Sequence, residues 1–165
     1  MPDPSWNGYL RLSLISCPVY LSLAAEENEL TERDREAFQI MSSKVIDLAR
    51  FVDRAEVDPL YLNTACYVYP DGELAGEPFR VIAEKLAAKG LVGIARVALS
   101  NTERLLMFEP RGAGMVMYTL RSVRAAEFDT KRQEDTDPEM LDIVEAVVER
   151  RRSTFDPAGL LSDKL

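Results

Sequence analysis

The residues of this sequence that most clearly suggest a chemical role are arginines, which bind anions, rather than pairs of catalytic side chains. Residues 92–125 hold only two acids, Glu103 and Glu109, against five arginines: Arg96, Arg104, Arg111, Arg121 and Arg124. A guanidinium presents a planar fork of N–H donors that suits phosphate oxygens. The formal net charge is −8, so this stretch is locally basic within an acidic chain. Two interpretations are open: a phosphate-binding surface, or solvated rim residues that form local ion pairs.

The composition argues against an enzyme. There is no histidine, which excludes Ser-His-Asp and Cys-His catalysis and any zinc site with imidazole ligands. Cys17 and Cys66 are too few for a four-thiolate zinc site, and their apolar neighbours predict reduced core thiols. The glycines of residues 111–114 are typical of a hairpin turn rather than of a phosphate-binding loop. The carboxylates of residues 53–58 favour capping over acid–base chemistry. We therefore expect no catalysis, no metal and no cofactor.

Alternating apolar residues predict a β-rich chain that must position these arginines. Strands are predicted over 8–15 and 19–23, with a bend at Pro18, and over 44–52, 61–69, 92–99, 104–110 and 115–120. The short connections between the last three strands favour an antiparallel meander. Helices are predicted over 31–41, 78–89 and 138–151 from their start signals and periodicity. Asp137 is expected to cap the third helix, and the second has an apolar stripe of Phe79, Ile82, Ala83 and Leu86.

The fold class predicted from these elements is α/β and β-rich, a barrel core with flanking helices and a C-terminal helical arm. A charged stretch, 127–137, is predicted to be a linker, which gives a core of residues 1–126 and an arm of residues 127–165. Residues 155–157 are expected to close the ordered part. The last long helix carries apolar residues on a wide arc, which predicts that it packs on a partner subunit: Met140, Leu141, Val144, Val147 and Val148.

Short motifs along the chain resemble, in the same order, those of bacterial Ku proteins. The first is residues 5–8 followed by residues 12–19, which resembles the family's opening strand. The others lie at residues 44–47, 51–53, 57–61, 67–72, 93–96, 110–112, 119–121 and 155–157. Each motif is weak alone, but their order over most of the chain is specific.

The resemblance implies a Ku-type β-barrel and a homodimer that slides over double-stranded DNA ends without reading their sequence. It implies that the protein recruits an ATP-dependent bacterial DNA ligase in non-homologous end joining. The expected location is the cytoplasm, at the nucleoid, and no membrane partner is expected. The expected DNA contacts are Lys44, Arg96, Arg104, Arg111, Arg121 and Arg124. The alternative is a Ku-like barrel that acts only as a protein or peptide interaction module.

The chain departs from the family pattern in three ways. The stretch between the strand predicted over 19–23 and the acidic helix predicted over 31–41 is several dozen residues shorter than in the family, since only residues 24–30 separate the two elements here. In the family this stretch contributes much of the bridge that arches over DNA. The chain also ends at Leu165 without a basic tail, and its net charge is acidic. We therefore expect an open cradle for DNA rather than a closed ring.

Overall fold

A computed structural model describes residues 6–26, 29, 44–99, 102–128 and 136–162. The chain divides into two compact units, Met1–Arg124 and Ala125–Leu165. The predicted helix over 31–41 and most of the predicted linker over 127–137 lie outside the described residues.

The first unit is built on a sheet of eight described strands. They are β1 (Trp6–Leu12), β2 (Ile15–Leu23), β3 (Val45–Asp47), β4 (Arg50–Asp53), β5 (Leu62–Pro70), β6 (Leu91–Leu99), β7 (Thr102–Arg111) and β8 (Gly114–Leu120). Their order is β3-β1-β2-β5-β8-β7-β6-β4. The β1–β3 pair is parallel, and the other neighbouring pairs are antiparallel. The predicted β-rich class and the β6–β7–β8 meander are confirmed.

One short segment joins the two edges of this sheet. β3 and β4 stand at opposite ends of the strand order, yet only Leu48 and Ala49 separate them along the chain. The Leu48 amide donates to the Arg11 carbonyl on β1 at 2.9 Å, and the Ala49 amide donates to the Ile94 carbonyl on β6 at 3.1 Å. Consecutive amides therefore bond to β1 and β6, the strands next to the two ends of the order, and the sheet curls into a barrel.

The predicted single strand over residues 8–15 is wrong. β1 ends at Leu12, the chain turns through Ser13 and Leu14, and β2 begins at Ile15. Ser13 has a φ of 55°, a left-handed conformation that suits a tight hairpin turn. Leucines continue to alternate across this turn, although Leu14 itself is 99% exposed. The bend predicted at Pro18 is also absent, because Pro18 lies inside β2.

The single described α-helix of the first unit is α1 (Gly76–Lys89), and it packs its apolar face into the core. Phe79, Ile82, Ala83 and Leu86 are buried, which confirms the predicted stripe. They join a cluster with alternating strand residues such as Leu106 and Phe108. Gly90 ends the helix with a φ of 66°, and its amide donates to the Ala87 carbonyl at 3.2 Å.

The two cysteines are buried in the first unit and form no disulfide, as predicted. The Cys17 thiol donates to the Ala75 carbonyl at 3.4 Å, across the join between β2 and the turn before α1. Burial raises the pKa of the Cys17 thiol, which keeps it protonated and unreactive in the folded protein.

The second unit contains two described helices, α2 (Pro138–Arg150) and α3 (Pro157–Ser162). The Asp137 carboxylate accepts the Glu139 amide at 3.0 Å, which confirms the predicted cap. The expectation that residues 155–157 close the ordered part is wrong, because Pro157 begins α3. Across the described residues, the structure contains no helix that is long and apolar enough to cross a membrane.

The first prediction concerns the close approach of β3 to β1. A Cβ added at Gly8 would overlap the Lys44 carbonyl oxygen and the Trp6 ring. We expect Gly8→Ala to lower the free energy of unfolding by about 1–3 kcal/mol, the usual cost of overpacking, measured by urea denaturation. The control is Gly76→Ala at the start of α1, where an added Cβ meets nothing within 4 Å and should be neutral or stabilising. Equal stability of both variants would contradict this account.

The second prediction concerns an ion pair on the β1–β3 register. Arg11 donates to Asp47 through Nε at 2.8 Å and through a terminal nitrogen at 2.5 Å. The hydrogen bond from Arg11 lowers the pKa of the Asp47 carboxyl. Its stabilising effect is therefore present above the ordinary carboxyl pKa of about 3.9 and disappears as pH falls through the lower folded-state pKa.

The experiment compares the parent with Asp47→Asn by urea denaturation from pH 7 down to pH 3. We expect the variant to be less stable at pH 7, modestly because both side chains are about half exposed. The difference should shrink toward acid pH and at high salt. Glu84→Gln, on the exposed face of α1 and without an ion pair in the described part of the chain, serves as the control. A difference that persists at acid pH would contradict the pairing.

Candidate nucleic-acid interface

Arg104 on β7 and Arg121 directly after β8 extend the same end of the β7–β8 pair. On the β7–β8 pair, Leu106 faces Thr119, and the two arginines each lie two residues beyond that pair. Alternation places both on the side of the sheet that carries Leu106. Both side chains are exposed, and within the described ranges neither forms an ion pair. Among the described residues, these two guanidinium groups are therefore exposed and have no carboxylate partner.

Arg121 is held in place by backbone carbonyls rather than by an acid. Its amide donates to the Tyr61 carbonyl at 2.9 Å, and its Nε donates to the Leu60 carbonyl at 2.8 Å. Both carbonyls belong to a 3-10 turn, Pro59–Tyr61, that directly precedes β5. Neither terminal nitrogen of the fork has a partner among the described residues, so both are available there for a ligand.

Arg96 belongs to the same end of the barrel but to the other face of the sheet. It is opposite Leu105 on β7, whereas Arg104 is opposite Val97. Its Nε lies 3.9 Å from a Glu103 carboxylate oxygen, and both side chains are mostly exposed. Such an exposed ion pair contributes little to stability, so it restricts the Arg96 side chain only weakly.

Arg111 lies at the opposite end of β7 and is already occupied. A terminal nitrogen of its guanidinium donates to Glu109 at 2.7 Å and to the Tyr118 hydroxyl at 3.0 Å. The hydrogen bond with Tyr118, followed by the interactions with Glu109, raises the pKa of Arg111. Glu109 also accepts from Arg54 Nε at 2.5 Å. This network links β7 and β8 to the residue after β4, which is a structural task.

Lys44 and Arg124 lie outside the β6–β7–β8 strands. Lys44 directly precedes β3, and its Nζ donates to the Asn7 carbonyl at 3.4 Å. Arg124 follows Arg121 by three residues in the segment after β8 and is exposed. The strand register thus places Arg96, Arg104 and Arg121 toward one end of the β6–β7–β8 meander and Arg111 at the other end of β7. The role of all six residues in DNA contact stays a prediction.

The capping predicted for the carboxylates of residues 53–58 is confirmed at Asp58, which caps the Pro59–Tyr61 turn. The strand predicted over 61–69 begins one residue later, at Leu62, because Tyr61 belongs to this turn. The sequence did not predict that the Leu60 and Tyr61 carbonyls accept the two hydrogen bonds from Arg121. No local signal reveals this contact, since Arg121 lies about sixty positions further along the chain.

The described part of the chain offers no group of three His, Cys, Asp or Glu side chains placed to hold a metal ion. The buried polar side-chain atoms of the described residues all have hydrogen-bond partners. Nothing in this part of the molecule therefore points to a buried polar centre. The exposed arginines are the groups here that are available to bind a ligand.

The helix α2 of the second unit presents a broad apolar surface. None of its residues is buried. Its large apolar side chains are between 38% and 60% exposed, and they are the five predicted ones and one more, Ile143: Met140, Leu141, Ile143, Val144, Val147 and Val148. At 100° per residue these six positions cover one side of the helix, while Asp142, Glu145 and Glu149 lie on the other.

Residues 24–143 match the family model described as Ku, Ku70/Ku80 beta-barrel domain. Similar curated relatives are each called "Non-homologous end joining protein Ku". The one from Allorhizobium ampelinum is 28% identical, with 98% of this chain and 77% of the relative covered. The one from Methylocella silvestris is 27% identical, with 94% and 76% covered. The one from Cereibacter sphaeroides is 32% identical over 72% of this chain and 46% of the relative.

This chain is shorter than these relatives, and part of the difference is internal. The alignment with the Allorhizobium ampelinum protein spans 212 positions, whereas this chain has 165 residues. The relative therefore carries residues inside the matched region that have no counterpart here. The result agrees with the sequence-based expectation of a shortened family member.

A similar solved structure is the SPOC domain of human PHD-finger protein 3. It has a TM-score of 0.53 and 10% sequence identity, and the match covers 74% of this chain and all of that domain. At this identity the likeness concerns the barrel fold alone. The family model spans every strand from β3 to β8 and more than half of the chain, so this protein belongs to the Ku family.

Proposed function

We propose that this protein acts in double-strand-break repair by non-homologous end joining. It binds double-stranded DNA ends as a homodimer, without reading their sequence, and recruits an ATP-dependent bacterial DNA ligase. The observation that carries the proposal is the exposed Arg104–Arg121 pair at one end of a Ku-family barrel. Neither guanidinium is neutralised by a carboxylate within the described residues, so both can contact phosphates.

Such contacts suit a protein that must accept any broken end. Phosphate contacts position a protein on the duplex but carry no sequence information. The affinity they provide is electrostatic and comes with release of counterions. Because the chain as a whole is acidic, attraction to DNA must be concentrated where cations stand without acids, as they do at Arg104 and Arg121. A binding role of this kind needs no catalytic group.

Dimerisation rests on α2. An exposed apolar arc of six large side chains is energetically unfavourable in water, since each one buried in an interface contributes on the order of 1 kcal/mol or more. The self-complementary surface of a twofold dimer is the commonest way for one chain to cover such a face. The second copy of this chain is therefore the proposed partner of α2, and the ligase is the proposed partner of the assembled DNA complex.

The third prediction tests DNA-end binding. We expect the parent to bind linear duplex DNA of unrelated sequences equally, because phosphate contacts carry no sequence information, and to bind closed-circular duplex, which offers no ends, more weakly. Arg104→Ala and Arg121→Ala should each weaken binding and reduce the dependence of log K on log salt by about 0.9, the value for one phosphate contact. The measurement is fluorescence anisotropy across a salt series.

Two controls sharpen this experiment. Lys85→Ala removes an exposed cation from α1 and should leave binding unchanged. Arg111→Ala removes a cation that is engaged with Glu109 and Tyr118, and we expect it to lower stability more than DNA affinity. If the parent binds neither linear nor circular DNA, the proposed function is wrong, and the barrel is an interaction module for proteins or peptides.

The fourth prediction tests the dimer. Val144→Asp places a charge at the centre of the apolar arc of α2, where it would be buried without a partner in a dimer. We expect the variant to be monomeric by multi-angle light scattering at micromolar concentration, whereas the parent is a dimer. Glu145→Gln, on the polar side of the same helix, is the matched control and should stay dimeric. A monomeric parent would rule out α2 as a dimer surface.

A further inference from the structure

Arg121 is supported by a turn whose geometry depends on one acid. We propose that Asp58 is a positioning residue for DNA: it caps the Pro59–Tyr61 turn and thereby sets the direction in which Arg121 presents its guanidinium to a phosphate. This inference rests on the proposed DNA-binding function and adds to it a residue that carries the wrong charge for DNA. The support consists of three consecutive contacts.

The first contact is the cap. An Asp58 carboxylate oxygen accepts the Leu60 amide at 2.9 Å, and the Asp58 carbonyl accepts the Tyr61 amide at 3.0 Å. Pro59 has no amide hydrogen and a fixed φ, so it suits the first position of the turn. These features hold a three-residue turn that is too short to be stable through its own hydrogen bonds.

The second and third contacts run from the turn to Arg121. A helical turn leaves its last carbonyls without partners, and cations near that end are favoured. Here the Leu60 carbonyl accepts Arg121 Nε at 2.8 Å and the Tyr61 carbonyl accepts the Arg121 amide at 2.9 Å. Each carbonyl that the cap leaves open is therefore taken by the same arginine.

Asp58 does not act on Arg121 through direct charge attraction. Asp58 and Arg121 form no salt bridge in the described part of the chain, so Asp58 acts on Arg121 through the turn. Arg121 is anchored by one of its five N–H donors, and the other four remain for phosphate oxygens. Because an arginine side chain loses considerable rotamer entropy on binding, a guanidinium that is already oriented binds a phosphate more tightly.

This arrangement predicts an effect of opposite sign to that of charge alone. Removal of an acid near a DNA-binding surface ordinarily strengthens binding. We expect Asp58→Ala to weaken DNA binding, roughly three- to tenfold given the usual effect of losing a cap, and to reduce the salt dependence of log K by about 0.9. Asp58→Asn removes the charge but keeps the cap, since asparagine caps as well as aspartate. It should bind at least as tightly as the parent.

The experiment is a double-mutant cycle on the full chain, with anisotropy across a salt series as the measurement. Asp58→Ala should cause no further loss of affinity when Arg121 is already alanine, because the loss acts through that residue. A second measurement uses the free protein: the Arg121 Nε–H signal in NMR should exchange slowly with water in the parent and in Asp58→Asn, and rapidly in Asp58→Ala. Urea denaturation establishes that the variants are folded.

The outcomes divide clearly. Binding by Asp58→Ala that equals or exceeds that of the parent, while Arg121→Ala binds weakly, would overturn the positioning role. Additive losses in the double variant, or an Arg121 Nε–H signal that ignores Asp58→Ala, would overturn it too. Failure of the proposed function has a different signature: the parent and Arg121→Ala then bind DNA equally poorly, which removes the DNA role of both residues whatever the NMR signal shows.

Discussion

The closure of the barrel through residues 45–53 is the constraint on which the rest of the first unit depends. Leu48 and Ala49 bond to β1 and β6, so one short segment holds both strands at once. β6 then carries the β6–β7 hairpin, and β7 fixes the register of β8. The positions of Arg104 and Arg121 therefore follow from pairings that begin at this segment. A closed sheet also removes the free edges that would otherwise invite pairing with other chains.

The structure sorts the arginines of residues 92–125 by their partners. Arg111 belongs to a network with Glu109 and Tyr118, and Arg96 lies loosely beside Glu103. Arg104 and Arg121 have no acid beside them in the described residues. For a chain with a net charge of −8, this distribution matters more than the number of cations. A paired arginine stabilises the barrel and offers DNA little net charge, whereas an unpaired one offers its full charge.

Local signals predicted the parts of the fold that depend on local physics. The stripe of α1, the Asp137 cap and the meander of β6, β7 and β8 all follow from periodicity and turn chemistry. The β1–β2 hairpin did not, because leucines alternate straight across its turn and conceal the reversal at Ser13. The support of Arg121 by the Pro59–Tyr61 turn was equally hidden, since it joins residues about sixty positions apart. Which face an arginine occupies, and whether an acid meets it, depends on the register between strands, which composition does not specify.

The shortened region gives these local details their functional weight. A ring closed around DNA would retain it by topology, and single phosphate contacts would then contribute little to retention. The relatives carry residues inside the matched region that this chain lacks, and the expected consequence is an open cradle. DNA in a cradle is held by electrostatics alone, which salt weakens. Each arginine–phosphate contact then has to contribute as much affinity as one charge allows. A side chain that is already oriented before DNA binds loses less entropy on binding, which strengthens the contact without adding cations. The backbone support of Arg121 is an arrangement of this kind, in a protein whose overall charge repels its proposed ligand.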